Sequence, residues 1–86
     1  MRLAFEAEAW AQFLYWQDTD KPVLRKLTAQ LKGCQRHPFE GTGKPEPLKG
    51  ALAGYWSRRI THEHRLVYRV QGDALEILSC RFHYST

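Results

Sequence analysis

The sequence contains little cysteine and no long apolar run. Only Cys34 and Cys80 are cysteines, whereas small secreted domains usually carry several pairs that form a disulfide framework. No apolar stretch approaches the roughly 20 residues that span a bilayer, and Glu6 lies where a signal peptide would have its apolar stretch. We therefore expect a cytoplasmic protein with no membrane partner.

The chain is also short, with 86 residues and a mass of 10.1 kDa. Compact domains rarely fall below about 50 residues, so we expect one domain that covers residues 1–86. A chain of this size buries only roughly 60–65% of its unfolded surface. Its aromatic content of 13% is enough to build a core and argues against disorder. A binding site would then be an open groove and not a deep pocket.

Acidic residues are too few to balance the basic ones, and the formal net charge is +4. Most of the excess lies in residues 44–86, which hold seven basic side chains and four acidic ones. All four histidines lie at or after His37. A basic balance favours a polyanion as partner, and any chemistry is to be sought in the second half.

The first half predicts a short strand followed by two helices. Leu3 and Phe5 alternate as in a strand, and helical spacing of apolar residues begins at Ala7. Asp20 is suited to cap the second helix, and His37-Pro38 ends it.

The second half predicts a loop and then a sheet. Seven glycines and prolines between residues 38 and 54 argue against a helix there. Strand-like runs follow at 55–60, 65–70 and 74–82, and their short connections favour an antiparallel meander. The expected fold class is α+β, with the short strand and two helices packed on an antiparallel sheet.

Arginine recurs on these three runs. Side chains alternate along a strand, so Arg59 faces away from Arg58, and Arg65 shares a face with Arg69. Such a surface, with aromatic residues between the cations, suits phosphates and stacked bases. Surface strands also carry arginine for solubility and edge protection, and composition leaves both interpretations open.

Two histidine patterns have the residue types of a metal site but not its spacing. Cys34-x-x-His37 and His62-x-His64 could nominally supply four ligands, yet neither matches a zinc finger. Gly41-x-Gly43 lacks the third glycine and the following helix of a phosphate-binding loop. We expect no metal and no cofactor.

A carboxylate and an imidazole remain as a possible acid–base pair. Glu46 lies between Pro45 and Pro47, and His83 lies near the end of the sequence. A base, an acid and a nearby cation are what RNA cleavage by a neighbouring 2′-hydroxyl requires. A loop glutamate is usually only solvated, however. The spacing alone does not decide between a catalytic acid–base pair and an ordinary surface glutamate.

Longer motifs carry a family resemblance. Pro38-Phe39-Glu40-Gly41-x-Gly43-Lys44-Pro45-Glu46-Pro47-Leu48-Lys49 resembles the signature of YoeB toxins, within the RelE/ParE toxin superfamily. So do Gly54-Tyr55-Trp56-Ser57-Arg58-Arg59-Ile60, continuing into His64-Arg65-Leu66-Val67-Tyr68, and the final Cys80-Arg81-x-His83-Tyr84. The resemblance covers nearly the whole chain.

This resemblance implies a RelE-like microbial ribonuclease fold and a type II toxin that cleaves mRNA in the ribosomal A site. Glu46 would then accept a proton, His83 would donate one, and Arg65 would stabilise the phosphoryl transition state. The residues expected to bind and orient the RNA are Lys49, Arg59 and Tyr84.

The resemblance also implies partners, namely mRNA, the ribosome, a second copy of the toxin and a YefM-like antitoxin. An acidic segment that folds on binding could block a basic groove. Two alternatives stay open: a non-catalytic, ParE-like toxin that binds a protein such as gyrase, and an RNA-binding accessory domain.

The end of the chain fits this scheme imperfectly. In a regular strand His83 and Tyr84 face opposite sides, so both reach one site only if the strand leaves its ladder before them. Ser85-Thr86 also extends beyond the His-Tyr ending that is usual in the family.

Overall fold

A computed structural model of the chain describes residues 1–83. The expectations for Tyr84 and for Ser85-Thr86 therefore lie outside the described residues. The elements are β1 (Arg2–Phe5), α1 (Ala7–Thr19), α2 (Lys21–Arg36), β2 (Glu46–Pro47), a short 3-10 helix (Gly50–Leu52), β3 (Trp56–Arg59), β4 (Arg65–Gln71) and β5 (Ala74–Ser79). Within residues 1–83, no helix has the length and apolar character needed to cross a membrane.

The predicted cap separates the two helices. The Asp20 carboxylate accepts a hydrogen bond from the Val23 backbone N–H at 3.1 Å, and Pro22 occupies the first turn of α2. An N-cap carboxylate satisfies a backbone donor that the helix itself cannot. At the other end, the His37 N–H donates to the Gly33 carbonyl at 2.8 Å, immediately before Pro38. Both helix boundaries that the sequence predicts are confirmed.

The five strands have the order β1-β5-β4-β3-β2. From β2 to β5 the neighbours are antiparallel, which confirms the meander. β1 pairs in parallel with β5, so the predicted antiparallel meander is extended by the short N-terminal strand into a mixed sheet. The sheet is mixed because α1 and α2 carry the chain from β1 to β2 at the opposite edge, and the meander from β2 to β5 then places β5 beside β1 in the same direction.

The loop and the last strand also differ from expectation. Residues 38–54 contain the two-residue strand β2 and one 3-10 turn; their glycines and prolines exclude an α-helix but not such short elements. β5 ends at Ser79, earlier than the predicted 82, because two side chains of α1 bind the backbone of Cys80.

The core lies between the two helices and one face of the sheet. Its fully or nearly buried members are Ala9, Trp16, Leu27, Leu31, Cys34, Ile60, Leu66, Tyr68, Leu75, Ile77 and Cys80. The interpretation of Cys80 as a core residue is confirmed. The helices cover this face, and strand alternation places Arg59 and Arg65 on the opposite face.

Candidate active site

Three of the predicted site residues share the sheet face that points away from the helices. Arg59 of β3 pairs directly with Arg65 of β4, and Glu46 of β2 pairs with Ser57 of β3. Ser57 and Arg59 are two residues apart, so their side chains lie on the same face. Paired residues in neighbouring strands have Cβ atoms about 5 Å apart. The register thus places a carboxylate and two guanidinium groups on one surface.

Glu46 lies in the edge strand, and its residue is exposed. The two-residue strand is followed by Leu48, which is buried and whose N–H donates to the Tyr55 carbonyl at 2.9 Å. Lys49 comes next and is exposed at the start of the 3-10 turn. The pairing with β3 and the buried Leu48 therefore hold both charged residues near the outer edge of the sheet.

Arg65 is held much more rigidly than the surface cation that the sequence suggests. Its residue is only 8% exposed. One guanidinium nitrogen, Nη1, donates to three backbone carbonyls of the β3–β4 turn, those of Thr61, His62 and His64, at 2.8, 2.9 and 3.2 Å. These contacts fix the guanidinium against the turn beside Arg59.

His83 reaches this region through its neighbour Phe82. The Arg65 backbone N–H donates to the Phe82 carbonyl at 3.0 Å, so the exposed His83 follows directly on a residue bound to the start of β4. Phe82 itself has a positive φ of 67°. The chain has left the β5 ladder after Ser79, as the sequence-based scheme requires.

Arg58, next to Arg59 in the sequence, has a different role that composition does not reveal. It is 1% exposed and lies on the helix side of the sheet. Its guanidinium donates to three carbonyls of the loop before β2, those of His37, Glu40 and Thr42, at 2.7, 2.7 and 3.1 Å. The only signal in the sequence is the alternation that places Arg58 on the face opposite Arg59.

The basic surface is consequently less continuous than the arginine pattern suggests. Arg69 forms a 2.6 Å ion pair with Glu76, which raises the pKa of Arg69, and it also lies over the Tyr55 ring. Arg81 lies over the Tyr15 ring at 3.6 Å. Of the strand arginines, Arg59 and Arg65 are those that the register places with Glu46.

The structure shows where two residues of the nominal metal patterns, Cys34 and His64, lie. Cys34 is buried, and the Nδ1 atom of His64 accepts a hydrogen bond from the Phe82 N–H at 2.7 Å. In the part of the chain that the structure describes, no group of three or more histidine, cysteine, aspartate or glutamate residues is placed to hold a metal ion.

Comparison with known proteins identifies this architecture. The sequence of residues 5–84 matches the family model for the YoeB-like toxin of bacterial type II toxin–antitoxin systems. The toxin YoeB of Escherichia coli strain K12 is 56% identical over 84 residues, which cover 98% of this chain and 100% of the relative.

Solved structures agree with this match. A YoeB/ParE toxin from Agrobacterium tumefaciens superposes with a TM-score of 0.95 at 51% identity and covers 98% of this chain and 100% of its own. The Staphylococcus aureus relative, solved as a YoeB–YefM complex and as a YoeB dimer, gives a TM-score of 0.90 in both, at 44% and 45% identity, with 98% of each chain covered.

The two helices on a five-strand mixed sheet are thus the fold of RelE/ParE-like toxins. Within that class, the chain belongs to the YoeB-like toxin family of bacterial type II toxin–antitoxin systems. The fold and the family that the sequence motifs imply are both confirmed.

Proposed function

We propose that this toxin is a ribosome-dependent endoribonuclease that cleaves mRNA in the A site and so stops translation. The observation that carries the proposal is the placement of Glu46, Arg59 and Arg65 on the sheet face opposite the helices, with His83 following a residue bound to Arg65. A carboxylate, an imidazole and a fixed cation are the groups that this reaction needs.

The reaction is an internal transesterification. Glu46 takes the proton of a 2′-hydroxyl, and the oxygen attacks the adjacent phosphorus. Arg65 stabilises the negative charge that builds up on the phosphoryl oxygens, and His83 gives a proton to the departing 5′-oxygen. The products are a 2′,3′-cyclic phosphate and a free 5′-hydroxyl, so the step consumes no water.

The shielding of Arg65 supports its part in this scheme. A cation in a largely buried position interacts more strongly with an anion than a fully solvated one does. Its Nη1 contacts with the turn keep the guanidinium in place, so little reorganisation is needed in the transition state. Exposed cations serve to bind the RNA, and we assign that role to Lys49 and Arg59. We assign Tyr84, which lies outside the described residues, the role of helping to orient the RNA.

The proposed protein partners are an antitoxin and a second copy of the toxin, and the basic sheet face supports the first of them. An open, basic groove can be covered by an acidic segment that is disordered until it binds, and the S. aureus relative has been solved with YefM and as a dimer. We propose that this chain acts in the cytoplasm as a single domain, forms a homodimer and is neutralised by a YefM-like antitoxin.

The test is to map mRNA ends after the protein is added to translating ribosomes. Glu46→Gln and His83→Gln should each reduce A-site cleavage by roughly 10²–10⁴-fold. Glu40→Gln and His37→Gln are matched controls, because they change an exposed carboxylate and imidazole of the preceding loop, 3.8 Å apart, and should cleave like wild type.

Wild type without A-site cuts, or site variants as active as the controls, would refute the mechanism. Growth arrest without cleavage would point instead to a protein target, as expected of a ParE-like toxin.

A further inference from the structure

The segment after β5 is bound to the rest of the molecule at every residue from Cys80 to Phe82. The Cys80 N–H donates to the Gln12 side-chain oxygen at 2.7 Å, and its carbonyl accepts from the Trp16 indole N–H at 2.9 Å. Arg81 lies over the ring of Tyr15. These contacts attach the start of the segment to α1. Phe82 directly precedes His83, so the backbone conformation of Phe82 affects the direction of the chain at His83.

Phe82 is held by both of its backbone groups. Its N–H donates to His64 Nδ1 at 2.7 Å, and its carbonyl accepts from the Arg65 N–H at 3.0 Å. Its positive φ of 67° is unfavourable for an L-residue, so the conformation persists only where contacts impose it. Two consecutive residues at the start of β4 provide those contacts.

His64 is itself fixed in orientation. Its side chain is 14% exposed, and its ring meets the edge of Trp16 at a centroid distance of 4.7 Å. A backbone N–H can only donate, so Nδ1 must be the unprotonated acceptor and the neutral ring carries its proton on Nε2. Nε2 lies 3.5 Å from the Glu63 carboxylate, which favours this tautomer.

We propose that His64 is a positioning residue for the ribonuclease reaction, and that its hydrogen bond to the Phe82 N–H sets the position from which His83 donates its proton. This inference rests on the proposed function. His64 acts through Phe82, and we assign it no contact with the RNA or with the reacting atoms. Without the acceptor, Phe82 relaxes from its left-handed conformation, and the next residue changes direction. A displacement of about 1 Å at a reacting group can cost about 10²-fold in rate.

A pair of substitutions separates positioning from packing. His64→Asn keeps an acceptor, because the asparagine Oδ1 lies close to the place of the imidazole Nδ1. His64→Leu keeps a similar volume without any acceptor. Both lose the ring contact with Trp16, so a packing role predicts that the polar His64→Asn is no more active than His64→Leu.

In the translating-ribosome assay we expect His64→Leu to lower kcat by roughly 10–10²-fold with little change in KM. His64→Asn should recover most of that loss. Equal kcat values for the two folded variants would overturn the proposal, as would a wild-type kcat for His64→Leu.

A second measurement does not depend on activity or on the stability of a variant. NMR of the wild-type protein should show unprotonated Nδ1 and protonated Nε2 for His64, and the strong intraresidue HN–Hα contact of a positive φ at Phe82. A proton on Nδ1, or a negative φ, would overturn the inference. If both features are found but wild type does not cleave mRNA, the proposed function fails and the structural link stands.

Discussion

The Nε atom of Arg58 donates a hydrogen bond to the Tyr68 hydroxyl oxygen at 3.1 Å, and that hydroxyl donates in turn to the Pro38 carbonyl at 2.6 Å. Two side chains on neighbouring strands thereby tie the loop after α2 to the sheet. This loop leads directly into β2, so the placement of Glu46 depends on a hydrogen-bond network on the opposite face of the sheet.

We predict opposite phenotypes for the two adjacent arginines. Arg58→Ala should lower the free energy of unfolding by roughly 3 kcal/mol or more, because three loop carbonyls and the Tyr68 hydroxyl lose a charged donor. Arg59→Ala, at an exposed position, should change it by less than about 0.5 kcal/mol while reducing RNA cleavage. Urea denaturation checks the first effect, and similar stability losses in both variants would contradict it.

Gly43 and Gly72 allow a comparison at two positive-φ positions. At Gly43, φ is +81° and a Cβ would lie 2.7 Å from Gln30 Nε2 and 3.0 Å from the Arg59 carbonyl oxygen; at Gly72, φ is +59° and nothing lies within 4 Å. Gly72→Ala should cost about 1 kcal/mol from backbone strain alone. Gly43→Ala adds a steric clash and should cost roughly 3 kcal/mol. Equal melting temperatures for the two variants would show that the loop around Gly43 moves enough to accommodate the added Cβ without a clash.

Tyr68 should make stability depend on pH in the alkaline range. Burial raises the pKa of Tyr68 from 10.0 to about 12, against the opposing effect of the Arg58 hydrogen bond. The folded state therefore favours the neutral phenol, and this contribution is complete below pH 10 and is lost as pH rises towards 12.

The measurement is urea denaturation between these two pH values, for wild type and for Tyr68→Phe. The variant keeps the ring and lacks the ionisable group, so its stability should fall less steeply across this range. Every other ionisable group is present in both proteins, so the comparison reports mainly on Tyr68. Identical slopes would show that the phenol ionises as readily in the folded protein as in the unfolded chain.

Both cysteines should be chemically inert in the folded protein. Cys34 and Cys80 are fully buried, and burial raises the pKa of both thiols, that of Cys80 to about 12. Since the thiolate is the reactive species, a thiol reagent in mildly alkaline buffer should label neither residue until urea is added. Rapid labelling of the native protein would contradict the burial of these side chains.

Local patterns in the sequence predict much of this molecule. The cap at Asp20, the two helices and the separation of Arg58 from Arg59 by strand alternation all depend on residues close together in the chain. The motifs around Glu46 and His83 also identify the family.

Long-range relationships are not predicted by such patterns. The parallel partner of β1 is the last strand of the meander, β5, and alternation within a strand does not encode which distant strand lies beside it. Arg58 looks like a surface cation until the fold brings loop carbonyls to it. β5 ends early because Gln12 and Trp16 of a distant helix take the backbone groups of Cys80.

The pairing of β1 with β5 has a consequence for how the protein is made. Leu3 lies beside Leu75, so a segment that is synthesised well before β5 has its sheet partner in β5, the last strand of the described chain. Contacts between residues so distant in sequence form slowly. The nascent chain therefore completes its sheet only after β5 has emerged, and the toxin assembles its proposed active site after synthesis of nearly all the described chain.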